Sequence, residues 1–252
     1  MLVRTEGFVL RSVPYKETTR LVTLYTRELG KLTVIAHGAQ SVKNRFGSTL
    51  QPLAHVQAVL YTRPTRSIQV LSDCSHVNIY SKISKDLGKL ATGQHICGLV
   101  LSLTEEGQRS VEIFHLLVSM INALDTLDAD AELIKMYFQL HFIDLLGFAP
   151  AFSQESLGEI DTSGGFLLLE DGTITNEEVD NQSTAYASRS VLRAFATLCR
   201  ADFEAAMRLQ LTAKQRNNLS ILITRFIQYH IPGTYPVRGG KVVDQLLDAK
   251  KK

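Results

Sequence analysis

Cysteine is scarce in this sequence, and long hydrophobic runs are absent. Three cysteines, at positions 74, 97 and 199, are too few and too scattered for a disulfide framework and favour a reducing cytoplasm. Residues 90–104 carry no charged side chain, yet they include Gln94 and His95 and are too short to cross a bilayer. The first ten residues contain Arg4 and Glu6 and no apolar core, so we expect no secretory signal and no membrane partner.

Motifs that carry catalysis are absent too. The sequence has no GxxxxGK[ST] phosphate loop, no HExxH and no Cys-x-x-Cys pair. His141 and Asp144 stand three positions apart in an apolar segment, which favours a satisfied interior histidine over a metal ligand. We therefore expect no catalytic residue, no metal and no cofactor. The alternative is a metal-dependent nuclease or hydrolase that uses scattered acids such as Glu105, Asp144 and Asp161.

Charge is distributed unevenly behind a formal net charge of +2. Residues 1–80 carry ten basic and four acidic side chains, a net charge of +6. Residues 81–205 carry eight basic and nineteen acidic side chains, a net charge of −11. Residues 206–252 carry nine basic and two acidic side chains, a net charge of +7. Basic ends around an acidic middle suit a polyanionic partner, although solvated cations without a function give the same pattern.

Hydrophobic periodicity changes near residue 80. Before it, alternation of apolar and polar residues predicts five strands, near 5–13, 19–27, 31–36, 53–62 and 67–75, which suit a small closed barrel. After it, three- and four-residue spacings predict helices near 83–101, 111–124, 133–146, 184–200 and 213–230. A hairpin with an Asp-Gly turn is expected around Gly165–Ile174. The predicted fold class is α+β, a five-stranded barrel followed by a helical domain with a small hairpin insertion.

The segment between the third and fourth predicted strands is the densest candidate binding site. Residues 36–47 combine glycines with Lys43, Arg45 and Phe46, and Tyr25 and Tyr61 are expected on the adjoining barrel face. Cations neutralise phosphates and release counterions, while aromatic faces stack on bases regardless of sequence. This pattern predicts a site for single-stranded nucleic acid. A solvent-facing loop whose cations have no function is the alternative.

Several motifs resemble the RecO family of bacterial recombination mediators. They are ETTRLVTLYT (17–26), GK (30–31), AHGAQ (36–40), KNRF (43–46), LQPL (50–53), LTEEG (103–107), LLGFAP (145–150) and VDQLL (243–247). The resemblance implies an OB-fold domain over residues 1–80 and a helical domain over residues 81–252. It also implies a cytoplasmic, nucleoid-associated protein that binds single- and double-stranded DNA and anneals complementary strands. With RecR, such a protein helps to load RecA onto DNA coated by the single-strand-binding protein, SSB.

Site residues follow from the same resemblance and from the positions of the cations. The expected DNA-binding residues are Arg20, Lys31, His37, Gln40, Lys43, Arg45, Phe46, Arg63 and Arg66. Two of them depart from the family, because His37 and Gln40 stand where a cation is usual. Many members also carry a four-cysteine zinc site, whereas residues 152–182 contain no cysteine and form a degenerate, zinc-finger-like hairpin region.

The last long helix is the expected site for a protein partner. The family implies contact with the SSB tail, which is acidic and ends in an apolar residue. A receptor for such a tail needs an apolar pocket flanked by cations. The helix near 213–230 pairs an apolar face with Lys214, Arg216 and Arg225. An ordinary amphipathic helix packed on the core is the alternative, and a pure protein-binding scaffold is a further alternative for the whole chain.

Overall fold

The computed structural model describes residues 1–41, 44–179 and 183–234, without the side chains of residues 154–156. These residues form two compact units, and the boundary between the units falls between Leu127 and Asp128. The first unit contains the barrel and two helices, and the second contains the remaining helices and a small sheet. The domain boundary at residue 80 expected from the sequence stays a prediction.

Five strands close into the barrel of the first unit. They are β1 (Leu2–Lys16), β2 (Thr19–Thr26), β3 (Gly30–Ala36), β4 (His55–Tyr61) and β5 (Ile68–Asn78). The order around the barrel is β1-β2-β3-β5-β4, and β4 pairs with β1 again. Only the β3–β5 pair is parallel among these described pairings. The predicted five-stranded barrel is confirmed, although β1 is longer at both ends than its alternation predicted.

Alternate residues of each strand fill the barrel. Side chains of all five strands and of the β3–β4 connection share one buried cluster, which includes Val9, Val22, Leu24, Val34, Ala39, Phe46, Leu50, Val56, Ala58, Leu60 and Leu71. Because side chains on a strand point to opposite faces in turn, burying one set leaves the other set on the outside of the barrel. The outward set is therefore what the barrel offers to a ligand or to neighbouring helices.

Two helices complete the first unit. A short 3-10 helix at Ile83–Lys85 precedes α1 (Leu87–Leu103), and α2 (Val111–Thr126) follows. The carboxylate of Asp86 accepts a hydrogen bond from the backbone N–H of Lys89, and the hydroxyl of Ser110 accepts one from that of Ile113. These caps satisfy N–H groups that have no partner within the helix.

A buried polar chain joins the barrel to α2. His55 on β4, only 4% exposed, bonds through Nε2 to the Glu6 carboxylate on β1 at 2.7 Å. Its Nδ1 lies 3.2 Å from the Tyr80 hydroxyl, and that hydroxyl donates to the amide oxygen of Asn122 at 2.9 Å. Burial lowers the pKa of His55, and the bond to Glu6 opposes this shift. The imidazole contacts β1 through one ring nitrogen and reaches α2 through Tyr80 at the other, so it helps to hold three elements of this unit together.

The second unit combines five helices with a three-stranded sheet. In chain order the elements are α3 (Ala131–Leu145), α4 (Gln154–Glu159), β6 (Gly165–Leu168), β7 (Ile174–Thr175), β8 (Thr184–Ala187), α5 (Arg189–Arg200), α6 (Phe203–Met207) and α7 (Ala213–His230). The strand order is β7-β6-β8. The predicted hairpin is present as β6 and β7. The helix predicted near 184–200 is wrong at its start, because residues 184–187 pair with β6 as a third strand.

Local predictions for α3 hold in the structure. The carboxylate of Asp130 caps the helix by accepting from the backbone N–H of Glu132 at 2.9 Å. His141 Nε2 lies 3.1 Å from the carbonyl oxygen of Leu198 and the ring packs on Tyr137, so it is a satisfied interior histidine. Gly147, with φ of +95°, follows the helix as its stop signal predicted. No helix in the described ranges combines the length and apolar character that a bilayer span requires.

Candidate nucleic-acid interface

Two rows of side chains cross the outside of the barrel over four strands. Strand pairing places Arg11, Thr23, Thr33 and Ile68 in one row, and Val13, Leu21, Ile35 and Val70 in the other. All eight are exposed or half-buried. Neighbouring strands lie about 4.8 Å apart, so each row spans about 14 Å. The barrel therefore presents an open outer face, which we call the four-strand face, of mixed hydroxyl, aliphatic and cationic character.

The next row on the same side is covered. Phe8, Tyr25 and Lys31 are paired across β1, β2 and β3, and the rings of Phe8 and Tyr25 have no exposed surface. The Tyr25 hydroxyl donates to the carbonyl oxygen of Ser110, and burial raises its pKa to about 12. Residues before α2 thus form the boundary of the four-strand face within the first unit.

Lys31 belongs to this boundary. Its ammonium donates to the carbonyl oxygens of Leu101, at 2.9 Å, and Thr104, at the carboxyl end of α1. Burial lowers the pKa of Lys31, while Glu106 and Glu105 act in the opposite direction. The predicted phosphate contact of Lys31 stays a prediction, but the structure occupies its ammonium with carbonyl groups of the same unit.

One end of the four-strand face is bordered by the β3–β4 connection. Gln40 holds it there, because its side-chain amide donates to the carbonyl oxygens of Lys16 at 2.8 Å and Thr19 at 2.7 Å. His37 and Arg45 are exposed. The guanidinium of Arg20 is half-buried and donates to the Ser12 hydroxyl and carbonyl on β1. Lys43 lies outside the described residues.

Arg63 and Arg66 lie at the opposite end. Both are exposed in the connection between β4 and β5, which leads directly into Ile68 of the four-strand face. Gln69 fixes this connection, since its amide oxygen accepts from the backbone N–H of Arg63 and its amide nitrogen donates to the carbonyl oxygen of Arg66. The predicted cations are thus divided between the two ends of one face.

The aromatic part of the predicted site needs correction. Phe46 is 2% exposed and packs inside the barrel, with the guanidinium of Arg45 above its ring at 4.9 Å from the centroid. Tyr25 is buried as well. Neither ring can stack on a base in this conformation, because both faces are covered. Tyr61, at 55% exposed, is the remaining ring of the three that is open to stacking.

Two exposed cations were missed by the sequence reasoning about the site. Arg11 lies within the four-strand face itself, and Lys16 lies beside the anchored loop at one end. Both were counted in the basic charge of residues 1–80 but were not chosen as site residues. The alternation of side chains along β1 could have identified Arg11, because residues two apart on a strand lie on the same face and Arg11 therefore points outward with Val13.

The acids of the nuclease alternative do not form a site. Among the described residues, which include Glu105, Asp144 and Asp161, no three His, Cys, Asp or Glu side chains converge as metal ligands would.

The Cys97 thiol is buried on its helix, and burial raises its pKa to about 12. An unreactive interior thiol is what the sequence predicted for this position.

The second unit holds a groove between β8 and α7. Its volume is about 510 Å³, and Lys214 and Arg225 stand beside Ile221 and Tyr186, which are 52% and 59% exposed. Arg225 also donates to the carbonyl oxygen of Thr184. Arg216 is not part of the lining, because its guanidinium pairs with Asp130 at 2.7 Å. Two of the three predicted partner-binding cations therefore lie beside one groove, whose lining mixes apolar and polar side chains.

Comparison with known sequences agrees with a DNA-repair protein built on an OB-type barrel. Residues 1–80 match the family described as Recombination protein O N terminal, and residues 84–238 match Recombination protein O C terminal. The chain belongs to the RecO family.

Individual relatives carry the same family name. The chain is 36% identical to a DNA repair protein RecO of Salinibacter ruber over 249 residues, 99% of this chain and 96% of the relative. It is 27% identical to one of Alkaliphilus metalliredigens over 92% of this chain and 94% of the relative. It is also 35% identical to one of Chlorobium luteolum over 60% of this chain and 57% of the relative. All three relatives are named as DNA repair proteins.

Proposed function

We propose that this protein binds single-stranded DNA across the four-strand face and acts as a recombination mediator. The observation that carries the proposal is the open pair of rows on the barrel, with exposed cations at both ends. A strand laid across the rows would meet Arg45 and His37 at one end and Arg63 and Arg66 at the other. Arg11 lies between them. Thr23 offers a hydroxyl group and Tyr61 offers a ring for stacking, while the Thr33 hydroxyl already donates to the Glu106 carboxylate at 2.9 Å.

Affinity for oligonucleotides tests this proposal. If about four to six phosphates are neutralised, the logarithm of the binding constant falls against the logarithm of salt concentration with a slope of about −3 to −4. Lys43→Glu with Arg45→Glu, and separately Arg63→Glu with Arg66→Glu, are expected to weaken binding strongly and to reduce the slope. The thermal midpoint should stay nearly unchanged, because exposed loop charges contribute little to stability.

Arg208→Glu is the matched control for these charge reversals. Arg208 is an exposed arginine of the second unit, paired loosely with Glu204 at 3.7 Å. Arg208→Glu changes the net charge by the same amount per residue as the loop substitutions do. Arg208 lies outside the barrel, so the variant controls for the change in net charge alone. Equal loss of affinity in Arg208→Glu and in the loop variants would reject a specific site on the four-strand face.

The mediator role adds a second strand and protein partners. We propose annealing of complementary strands, binding of double-stranded DNA, and cooperation with RecR in loading RecA onto SSB-coated DNA, in a cytoplasmic, nucleoid-associated protein. Support comes from membership of the RecO family and from the basic character of residues 1–80. The experiment is displacement of labelled SSB from an oligonucleotide by RecA with and without this protein and RecR. No acceleration by the pair would contradict the mediator role.

The groove between β8 and α7 is the proposed receptor for the SSB tail. An acidic tail that ends in an apolar residue fits a pocket in which Ile221 and Tyr186 supply apolar surface and Lys214 and Arg225 supply charge. The occupant follows from this charge complementarity. Asn218 and Gln215 also line the groove and offer amide groups for the peptide backbone.

Fluorescence anisotropy with a labelled tail peptide tests the receptor. Lys214→Glu and Arg225→Glu should each weaken peptide binding severalfold, because they replace an attractive charge beside the groove with a repulsive one. Arg193→Glu, on another helix of the same unit, is the control. Unchanged affinity in both groove variants would exclude this groove, and a wild-type protein that does not bind the peptide would contradict recruitment by the tail.

A further inference from the structure

One face of α5 carries three arginines and no acid. Arg189, Arg193 and Arg200 are separated by four and seven positions, so at 100° per residue they lie within about 40° of one another. Residues 128–234 carry fourteen Asp or Glu and eight Lys or Arg. Three of those eight cations therefore lie on a single helix face within an acidic part of the chain. We call this surface the α5 arginine face.

The opposite side of α5 fixes the orientation of this face. Val191, Leu192, Phe195 and Leu198 have no exposed surface. The ring of Phe195 packs against Phe226 of α7 at a centroid distance of 5.9 Å. Any rotation of α5 would expose these apolar side chains, at about 25 cal/mol per Å² of apolar surface. The arginines are thus held outward by the core of their own unit.

A shallow concavity runs along the α5 arginine face. It has a volume of about 610 Å³ and is lined by Arg193, Ala196, Thr197, Arg200 and Ala201, with Leu157 and Gly158 on the far side. Ala196 lies between the two arginines along the helix, and its small side chain makes the floor. The cations border a depression into which a ligand can descend, rather than projecting from a convex surface.

The arginines differ in what they already contact. Arg200 donates to the carbonyl oxygen of Phe152, and its guanidinium lies over that ring at 4.5 Å from the centroid. Arg189 donates to the carbonyl oxygen of Gly158 at 3.3 Å. Arg193 is exposed, and within the described part of the chain its guanidinium makes no hydrogen bond or ion pair. Two positioned cations therefore flank one that is free to bind.

The chemistry of this face selects a phosphate backbone over a peptide. Guanidinium groups bind phosphate oxygens in a bidentate manner. The first and last of the three arginines are eleven positions apart, about 16 Å along the helix, which calls for an extended ligand with repeated negative charge. Among the described residues that line the concavity none is aromatic, and Leu157, the one large aliphatic side chain, is half-buried and is a weak anchor for a peptide. The groove between β8 and α7 has exposed anchors of both kinds, and the α5 arginine face does not.

We propose that the α5 arginine face is a second phosphate-backbone site, which binds a second DNA strand while the first strand occupies the barrel. This inference rests on the proposed function of the four-strand face. Each unit of the protein then has its own strand site, and one molecule can bring two complementary strands together. The second site recognises backbone rather than bases, so it accepts any sequence.

The test compares Arg193→Glu, Arg193→Lys and the control Arg208→Glu in the full chain. Each is placed in the wild type and in a barrel variant with Lys43, Arg45, Arg63 and Arg66 all changed to Glu. The probe is a labelled oligothymidine. The barrel variant should keep weak binding with a salt slope of about −2, as expected for three phosphates on a single strand. Arg193→Glu should abolish that binding, whereas Arg193→Lys and Arg208→Glu should preserve most of it.

A second readout separates this site from the barrel. In the wild-type background, Arg193→Glu should slow annealing of complementary oligonucleotides severalfold and leave the affinity for one strand nearly unchanged. Circular dichroism should show an unaltered thermal midpoint, because Arg193 is exposed and unpaired among the described residues. Arg200 is not used for the test, since its contacts to Phe152 make its loss structural.

Each result has a definite meaning. Residual binding that survives Arg193→Glu in the barrel variant, or annealing that Arg193→Glu does not slow, overturns the second site and leaves the first intact. A barrel variant that binds like the wild type contradicts the proposed four-strand site, and its sensitivity to Arg193→Glu still decides the α5 site. Loss of binding to an acidic peptide in Arg193→Glu, without any effect on oligothymidine, would assign the face to a protein and overturn the inference.

Discussion

Lys31 stands where the barrel meets the first helix of its unit. A helix ends with carbonyl groups that have no intrahelical partner and that carry partial negative charge. The Lys31 ammonium satisfies two of them, at Leu101 and Thr104. The backbone adds to this contact, because Gly107 donates from its N–H to the Lys31 carbonyl oxygen at 2.8 Å. A single lysine thereby ties β3 to the end of α1.

Replacing Lys31 with Met should therefore affect stability more than DNA binding. The variant keeps the aliphatic stem and loses the charged hydrogen bonds, so we expect the free energy of unfolding to fall by about 1 kcal/mol. Urea denaturation followed by circular dichroism measures this change. Arg66→Met, an exposed site, should show almost none. A Lys31→Met protein of wild-type stability that no longer binds an oligonucleotide would instead make Lys31 a phosphate ligand.

The β3–β4 connection is a loop with three anchors. Ala39 and Phe46 belong to the barrel core, and Gln40 is bonded to the β1–β2 turn. The exposed side chains His37 and Arg45 therefore project from a connection whose ends are fixed. A cation held this way loses less conformational entropy when it binds phosphate than one on an untethered loop.

Secondary structure and the binding face differed in how far the sequence could predict them. The barrel strands were predictable, because an alternating pattern is imposed by one buried and one open side. The four-strand face was not, because it depends on register between strands distant in sequence, such as Thr33 on β3 and Ile68 on β5. Phe46 was wrongly predicted to stack on bases. It is a single aromatic residue beside cations in a loop, where no alternating or helical hydrophobic pattern indicates that the side chain points inward. β8 was missed because four residues directly before α5 continue its apolar pattern.

Buried or half-buried histidines with lowered pKa values occur in both units of the molecule. Burial lowers the pKa of His55 in the first unit and of His141 and His230 in the second. In each histidine a hydrogen bond, to Glu6, Leu198 and Leu169 respectively, acts to raise the pKa. The desolvation of the imidazolium is the larger effect, so the pKa is lowered. The native protein therefore holds these rings neutral at pH values where an unfolded chain would protonate them.

Acidification should destabilise the protein in a defined window. The unfolded histidines have a pKa of about 6.5, so below that pH the unfolded state binds more protons than the native state. Stability is expected to be level above about pH 7 and to fall as the pH decreases through the lowered native pKa values. Urea midpoints at about pH 7.5 and about pH 5.5 measure the loss.

A histidine variant identifies the groups responsible. His55→Gln should reduce the difference between the two urea midpoints, because the amide can donate to Glu6 without titrating. His37→Gln, at an exposed position, should leave the difference as it is in the wild type. Equal wild-type stability at both pH values would contradict a role for the buried imidazoles.

The long first strand has a consequence for synthesis on the ribosome. The first half of β1 pairs with β4, and its second half pairs with β2. Translation proceeds at about 5–20 residues per second, so the 35 residues from Thr26 to Tyr61 take about 2–7 s to appear. During that interval the β1 edge is an unpaired template for other nascent chains. Arg4 and Glu6 on that edge place charges of both signs there, which discourages aggregation until β4 emerges and pairs with it. The barrel closes only when β5 follows and joins β4 to β3.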